Sequence, residues 1–202
     1  MVTRRCFGML TGLSHLRHYL PVSVLTTLVS ALVLSHVRYC LTVYGNGSGK
    51  NCARIQKIIN FSARVIFGRR KFDHISDVRE RLGWLSAPDL VRYHTLTLAH
   101  KIMRRGEPDG LSGMFVLNGE VRDRRTRQDG LLFVPRSRTA FGQRRFAVRA
   151  PSQYNSLDPT VTDRSVPAFG PALRRHMLER GSYGCGSYDC VSYFDLTIFF
   201  CV

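Results

Sequence analysis

Residues 53–68, Ala-Arg-Ile-Gln-Lys-Ile-Ile-Asn-Phe-Ser-Ala-Arg-Val-Ile-Phe-Gly, decide the fold class. Ile55, Ile58, Ile59, Ala63 and Ile66 recur at i, i+3, i+4, i+8 and i+11, the period of one helical face and not of a strand. Lys57, Asn60 and Arg64 fall largely away from that stripe, so the helix is amphipathic and its other face meets water. Gly68 and the run Arg69-Arg70-Lys71 end it.

Working outward, the glycine-rich stretch Tyr44-Gly45-Asn46-Gly47-Ser48-Gly49 separates this helix from an earlier one. Pro21 suits a first helical turn, and the run from Val22 to about Leu41 is apolar nearly all round, which predicts a central helix. On the other side, a short helix is expected from Ile75 to Leu82, before Gly83-Trp84. Ser86, Pro88 and Asp89 form a capped helix start, and Val91, Thr95, Leu98 and Ile102 continue it as a mostly apolar stripe. Gly106 and Pro108 stop that helix, and residues 107–120 read as a glycine-punctuated linker.

Beyond Val121 the character changes. Arg122, Arg124, Arg125, Arg127, Arg136, Arg138, Arg144, Arg145 and Arg149 crowd into 28 residues. Leu131 to Val134 and Phe146 to Val148 are short β-type runs and predict strands. Pro167, Phe169, Leu173, His176 and Met177 then signal a last helix. From Gly181 onward the chain carries no Lys or Arg, but three Tyr, three Phe and three of the six cysteines. The expected fold is therefore mainly α: a helical bundle over residues 1–107, a small basic α+β module over 108–180 and an irregular tail over 181–202.

Composition bounds the function. Thirty Lys and Arg against 14 Asp and Glu give a net charge of +16, and only four of the cations are Lys. This excludes an acidic disordered activator and points first to a polyanionic partner. With 44% apolar residues, the chain is also no mere basic tail. The scattered cysteines include no C-x-x-C pair, so a reducing compartment, nuclear or cytoplasmic, is expected over secretion. Residues 19–37 carry no charge, yet Pro21, His36 and five Ser or Thr between Ser23 and Ser35 argue for a buried helix over a signal peptide or a membrane span.

Three catalytic patterns fail on spacing or chemistry. Gly45 to Lys50 resembles a phosphate loop, but Tyr44 stands where a P-loop needs its first Gly, and Asn51 where it needs Ser or Thr. Pro108-Asp109 with Glu120-Val121-Arg122 resembles a nuclease carboxylate pair, except that Arg122 replaces the Lys and a guanidinium does not give up its proton. No Asp-Asp pair exists for two-metal chemistry, and no histidine has a partner at metal spacing; His94, on its helix stripe, reads as a core histidine. No metal, cofactor or small-molecule substrate is expected.

The arginines remain. Guanidinium forks match phosphates, and Phe133, Phe141, Phe146 and Tyr154 are candidates to stack on bases. The plainer alternative is a solvated basic face, and GC-rich coding would produce the same arginine bias.

Several strings in order resemble the segment downstream of the palm in non-LTR (LINE, jockey-like) retrotransposon reverse transcriptases. They begin with Leu34 to Cys40 and Val43-Tyr44-Gly45, and continue through Ala53 to Asn60 and Ala63 to Gly68. Leu82-Gly83-Trp84-Leu85 is similar to the family's LgWL string, and Tyr93-His94 with Lys101-Ile102 fits the following helix. Thr126-Arg127, Pro135 to Thr139, Gly142 and Phe146 match the family's basic segment. Tyr154-Asn155-Ser156-Leu157 stands where the family carries W-N-x-L-P, with Tyr154 replacing Trp and Asp158 interrupting Leu-Pro. Phe169 and Leu173 to His176 resemble the closing helix.

The resemblance covers about residues 8–178. It implies a thumb-like bundle and C-terminal part of an RNA-directed DNA polymerase without its catalytic palm, hence no polymerisation. What it leaves is the holding of RNA, or an RNA–DNA hybrid, through Arg64, Arg69, Arg70, Lys71, Arg136, Arg138, Arg144 and Arg145. An inert remnant, and a small protein anchored to a membrane by residues 19–37, are the competing expectations. The tail from Gly181 fits no part of the family and is expected to be disordered or unselected sequence.

Overall fold

A computed structural model describes residues 2–121 and 127–181. Arg122, Arg124 and Arg125, and the expected tail with Cys185, Cys190 and Cys201, lie outside the described residues. The fold is mainly α. Its helices are α1 (Val2–Leu16), α2 (Val22–Val29), α3 (Ser35–Arg38), α4 (Leu41–Tyr44), α5 (Gly49–Phe67), α6 (Ser76–Arg81), α7 (Ala87–Arg105), α8 (Asn118–Val121), α9 (Ala140–Gln143), α10 (Phe146–Tyr154), α11 (Pro159–Thr162) and α12 (Val166–Gly181).

The apolar run after Pro21 is not one central helix. A π-helical turn, Ser30–Leu34, joins α2 to α3, and Cys40 in the left-handed region ends the run at Arg38. The buried residues Leu25, Val29, Val33 and Val37 repeat every four positions. An α-helix of 3.6 residues per turn would rotate such a stripe off the core, and the wider π turn brings it back. Val22, Val24 and Leu32 face out, so this segment is amphipathic, contrary to its all-round apolar reading. The remaining face packs on α1 and α5, and among the described residues no helix is long and apolar enough to cross a membrane.

α5 and α7 follow the sequence closely. Ile55, Ile58, Ile59, Ala63 and Ile66 are buried, and Gly68 closes α5 at φ +64°, a conformation that suits glycine. In α7 the Ser86 side chain accepts from the Asp89 N–H, Pro88 sits in the first turn, and Gly106 caps the end at φ +67°. Gln56 ties the two helices by accepting from the Ala87 N–H at 2.7 Å. α4 also approaches α7 closely, because a Cβ on Gly45 would lie 2.7 Å from Val91 Cγ2.

The basic segment is not α+β. No strand occurs among the described residues, only an isolated antiparallel bridge between Leu117 and Leu132. Phe146 to Val148, expected as a strand, opens α10. Its side chains Phe146 and Ala150 turn inward on a 3.6-residue period that a three-residue window could not reveal. α10 and α12 pack directly on α7. There Phe169 and Leu173 are fully buried, and Phe169 stacks on His100.

Candidate nucleic-acid interface

The eight expected phosphate-contacting residues fall into two groups. Arg64, Arg69, Arg70 and Lys71 lie at the C-terminal end of α5 and in the loop after it. Arg136, Arg138, Arg144 and Arg145 belong to the segment around α9, and Arg144 donates to the Gly47 carbonyl at 3.2 Å, just ahead of the α5 N-terminus. Nineteen residues separate the ends of α5, which at about 1.5 Å per residue is about 28 Å.

Between the groups runs a stripe of which only Arg64 was expected as a phosphate contact, with Lys57 expected only on the solvent face. Lys50, Arg54 and Lys57 stand at i, i+4 and i+7 on α5, all exposed, and Arg64 continues the line two turns on. α5 contains no Asp or Glu. Helical spacing joins these cations, which are not adjacent in sequence as the arginine runs are. The stripe is interrupted by Phe61, whose ring packs against Phe7 of α1 at 5.7 Å.

The individual cations differ in freedom. Arg64 is half-buried and reaches the Asp73 carbonyl at 3.4 Å; burial pushes its pKa down, with Asp73 opposing. Arg69 pairs with Asp77 at 3.4 Å in an exposed bridge that contributes little to stability. Arg70 uses its backbone N–H on Asp73, and Lys71 sits 5.5 Å from the centroid of Phe72. Arg136, Arg138, Arg144 and Arg145 are exposed. Arg149, in the same segment, instead turns inward to Asn46, and its pKa falls through burial, with the Cys52 thiol opposing.

Two aromatic rings stand free within these groups: Phe72, 88% exposed beside Lys71, and Phe141, 79% exposed between Arg138 and Arg144. Of the rings expected to stack on bases, only Phe141 is so placed. Phe133 and Phe146 are half-buried, with Phe146 against Phe115, and Tyr154 is in the core with its hydroxyl bonded to His100.

In the glycine loop before α5, two oxygens are taken up by arginines of the basic segment. The Gly47 carbonyl accepts from Arg144 and the Asn46 side-chain oxygen from Arg149. Asp109 and Glu120 are exposed, and no group of three His, Cys, Asp or Glu side chains converges among the described residues. No protein-family profile, curated protein or solved structure matches the chain.

Proposed function

We propose that this protein binds RNA, or an RNA–DNA hybrid, with little sequence preference, as a thumb-like part of LINE-type reverse-transcription machinery that does not itself polymerise. The observation that carries the reading is the solvent face of α5: Lys50, Arg54 and Lys57 in line, no acid on the helix, a basic cluster at its C-terminal end, and Arg144 on the Gly47 carbonyl ahead of its N-terminus. A helix face of this kind offers phosphates a row of contacts about one or two turns apart, without base-edge readout. Phe72 and Phe141 add stacking surfaces, which favour unpaired bases. The LINE-type reading is supported by the resemblance of ordered strings such as Ala53 to Asn60 and Leu82-Gly83-Trp84-Leu85.

The test is fluorescence anisotropy of a labelled 12-nucleotide single-stranded RNA with the full chain at low salt. Saturable binding is expected, unchanged when the RNA sequence is scrambled and weakened by the triple change Lys50→Gln, Arg54→Gln and Lys57→Gln. Absence of saturable binding, or indifference to the triple change, favours the inert remnant.

A further inference from the structure

A second cationic feature lies away from α5's solvent face and shares none of the proposed RNA contacts. A cavity of about 140 Å³ opens beside α3, α7 and α12, far above the roughly 10–15 Å³ that admits one water. Arg38, Arg174 and His94 line it, with Tyr93, Trp84 and Ile59 among its walls.

Its electrostatics are unbalanced. Three ion pairs occur among the described residues, and none includes Arg38 or Arg174. Arg38 has no hydrogen-bond or ion-pair partner there. Burial and the Arg174 charge both push its pKa down, and only the Tyr93 hydroxyl opposes them. Arg174 is tethered by one donor to the Gly83 carbonyl at 2.7 Å, which leaves its other N–H groups uncommitted. His94 Nε2 is buried without a partner, and desolvation and the Arg38 charge lower its pKa. No carboxylate lines the cavity; Glu179 lines an adjoining hollow together with Arg174 and Arg175. Arg38 and Arg174 are both exposed and bring two like charges to the rim of the same cavity, where His94 Nε2 is buried and unpaired. A bound anion would offset the like charges and give the imidazole nitrogen a partner.

We propose that Arg38, Arg174 and His94 form a binding site for a phosphate-sized oxyanion, gripped between the two guanidinium groups and closed on one side by the imidazole. The ligand is a phosphate monoester or free phosphate. The forks suit its oxygens, and the neutral imidazole donates from Nε2 to a third. This site stands whether or not α5 binds RNA.

Trp84, the single tryptophan, lines the cavity and reports its occupancy. Sodium phosphate added to the full chain at constant ionic strength, with chloride as the control, should change its fluorescence saturably at about millimolar concentration, near −4.1 kcal/mol. Arg38→Gln and Arg174→Gln should each weaken phosphate by about tenfold or more, as expected for loss of a charged hydrogen bond. Arg4→Gln with Arg5→Gln should leave it unchanged. Arg38 holds no partner that folding needs, so Arg38→Gln should retain the wild-type circular dichroism. His94→Gln, with an amide donor available, should bind more tightly than His94→Ala. The two sources separate by competition: a 5′-phosphorylated dinucleotide that displaces phosphate, while its 5′-hydroxyl form does not, identifies a terminal phosphate as the ligand. If neither displaces it, the ligand is free phosphate. A response that does not saturate, or that matches chloride, or that survives Arg38→Gln in a folded chain, overturns the site.

Discussion

Asn155 pairs with Leu132 as a neighbouring strand would. Its carboxamide oxygen accepts from the Leu132 N–H at 3.0 Å, and its amide nitrogen donates to the Leu132 carbonyl at 2.9 Å. One side chain at the end of α10 thus satisfies both polar groups of an extended residue that is almost fully buried. Asn155→Ala should therefore destabilise the chain by about 1–3 kcal/mol, the penalty for orphaning a buried donor and acceptor. Asn155→Asp should cost at least as much at neutral pH, since a carboxylate cannot donate to the carbonyl. Urea unfolding followed by circular dichroism measures both, and a loss below about 0.5 kcal/mol for the alanine variant would show that water replaces the amide.

His100 gives the stability of this protein a pH dependence. Its ring lies flat on Phe169, 3.9 Å between centroids and 5° from parallel. Nε2 donates to the Arg164 carbonyl at 3.1 Å, so in the neutral ring Nδ1 accepts from the Tyr154 hydroxyl at 2.9 Å. Burial pushes the His100 pKa below its usual value, the Arg164 carbonyl opposing, and His94 is displaced the same way. In the unfolded chain both take a proton near pH 6.5. Below that pH the unfolded state binds more protons than the folded one, so stability is fully present above about pH 6.5 and falls as the pH drops toward the folded values. Chemical denaturation between pH 8 and pH 5 should show that decline. In His100→Gln the slope should be shallower, and an unchanged slope would place the titration elsewhere.

Trp84 is 8% exposed, at the junction of α6 and α7, with its N–H of the backbone bonded to the Arg79 carbonyl at 2.9 Å. Leu85 beside it is equally buried. Trp84→Ala should cost about 3–5 kcal/mol. The native emission should be blue-shifted and protected from a neutral quencher such as acrylamide, and emission at the wavelength of free tryptophan would contradict the burial.

What could be read in advance follows from where the information lies along the chain. α5 and α7 carry their own stripes, caps and stop glycines within about twenty residues, so Ile55 to Ile66 and Ser86 to Gly106 were legible without tertiary context. The π turn at Ser30 was not, because it answers a four-residue repeat only when α1 and α5 supply the surface it must face. Phe146 to Val148 look β-like in isolation and become helical by packing on Phe115 and α7. Of the candidate site, the arginine clusters were visible as runs. Their separation by the length of α5 was not, since it depends on Arg144 reaching Gly47 across 97 positions of sequence. Arg38 and Arg174 are further apart still, and no local pattern joins them.

The two clusters and the stripe between them make the proposed binding depend on salt and on ligand length together. If about four to six cations touch phosphates of a single strand at once, log K should fall against log salt with a slope of about −3 to −4, at roughly −0.7 per contact. Arg144→Glu with Arg145→Glu should flatten that slope by about one or two units. The same reversal at Arg4 and Arg5, exposed on α1, should not. The α5 span of about 28 Å corresponds to about eight nucleotides of a stacked strand at about 3.4 Å each. A 12-nucleotide RNA can then reach both ends, whereas a 4-nucleotide RNA can engage only one and should show about half the slope. In the short RNA, charge reversal at Arg144 and Arg145 should move binding to the other end, leaving the slope almost unaltered. Equal slopes for the two lengths would mean that the clusters do not act along one path, and equal effects from both pairs of reversals would mean that the net charge of +16 acts only as a diffuse field.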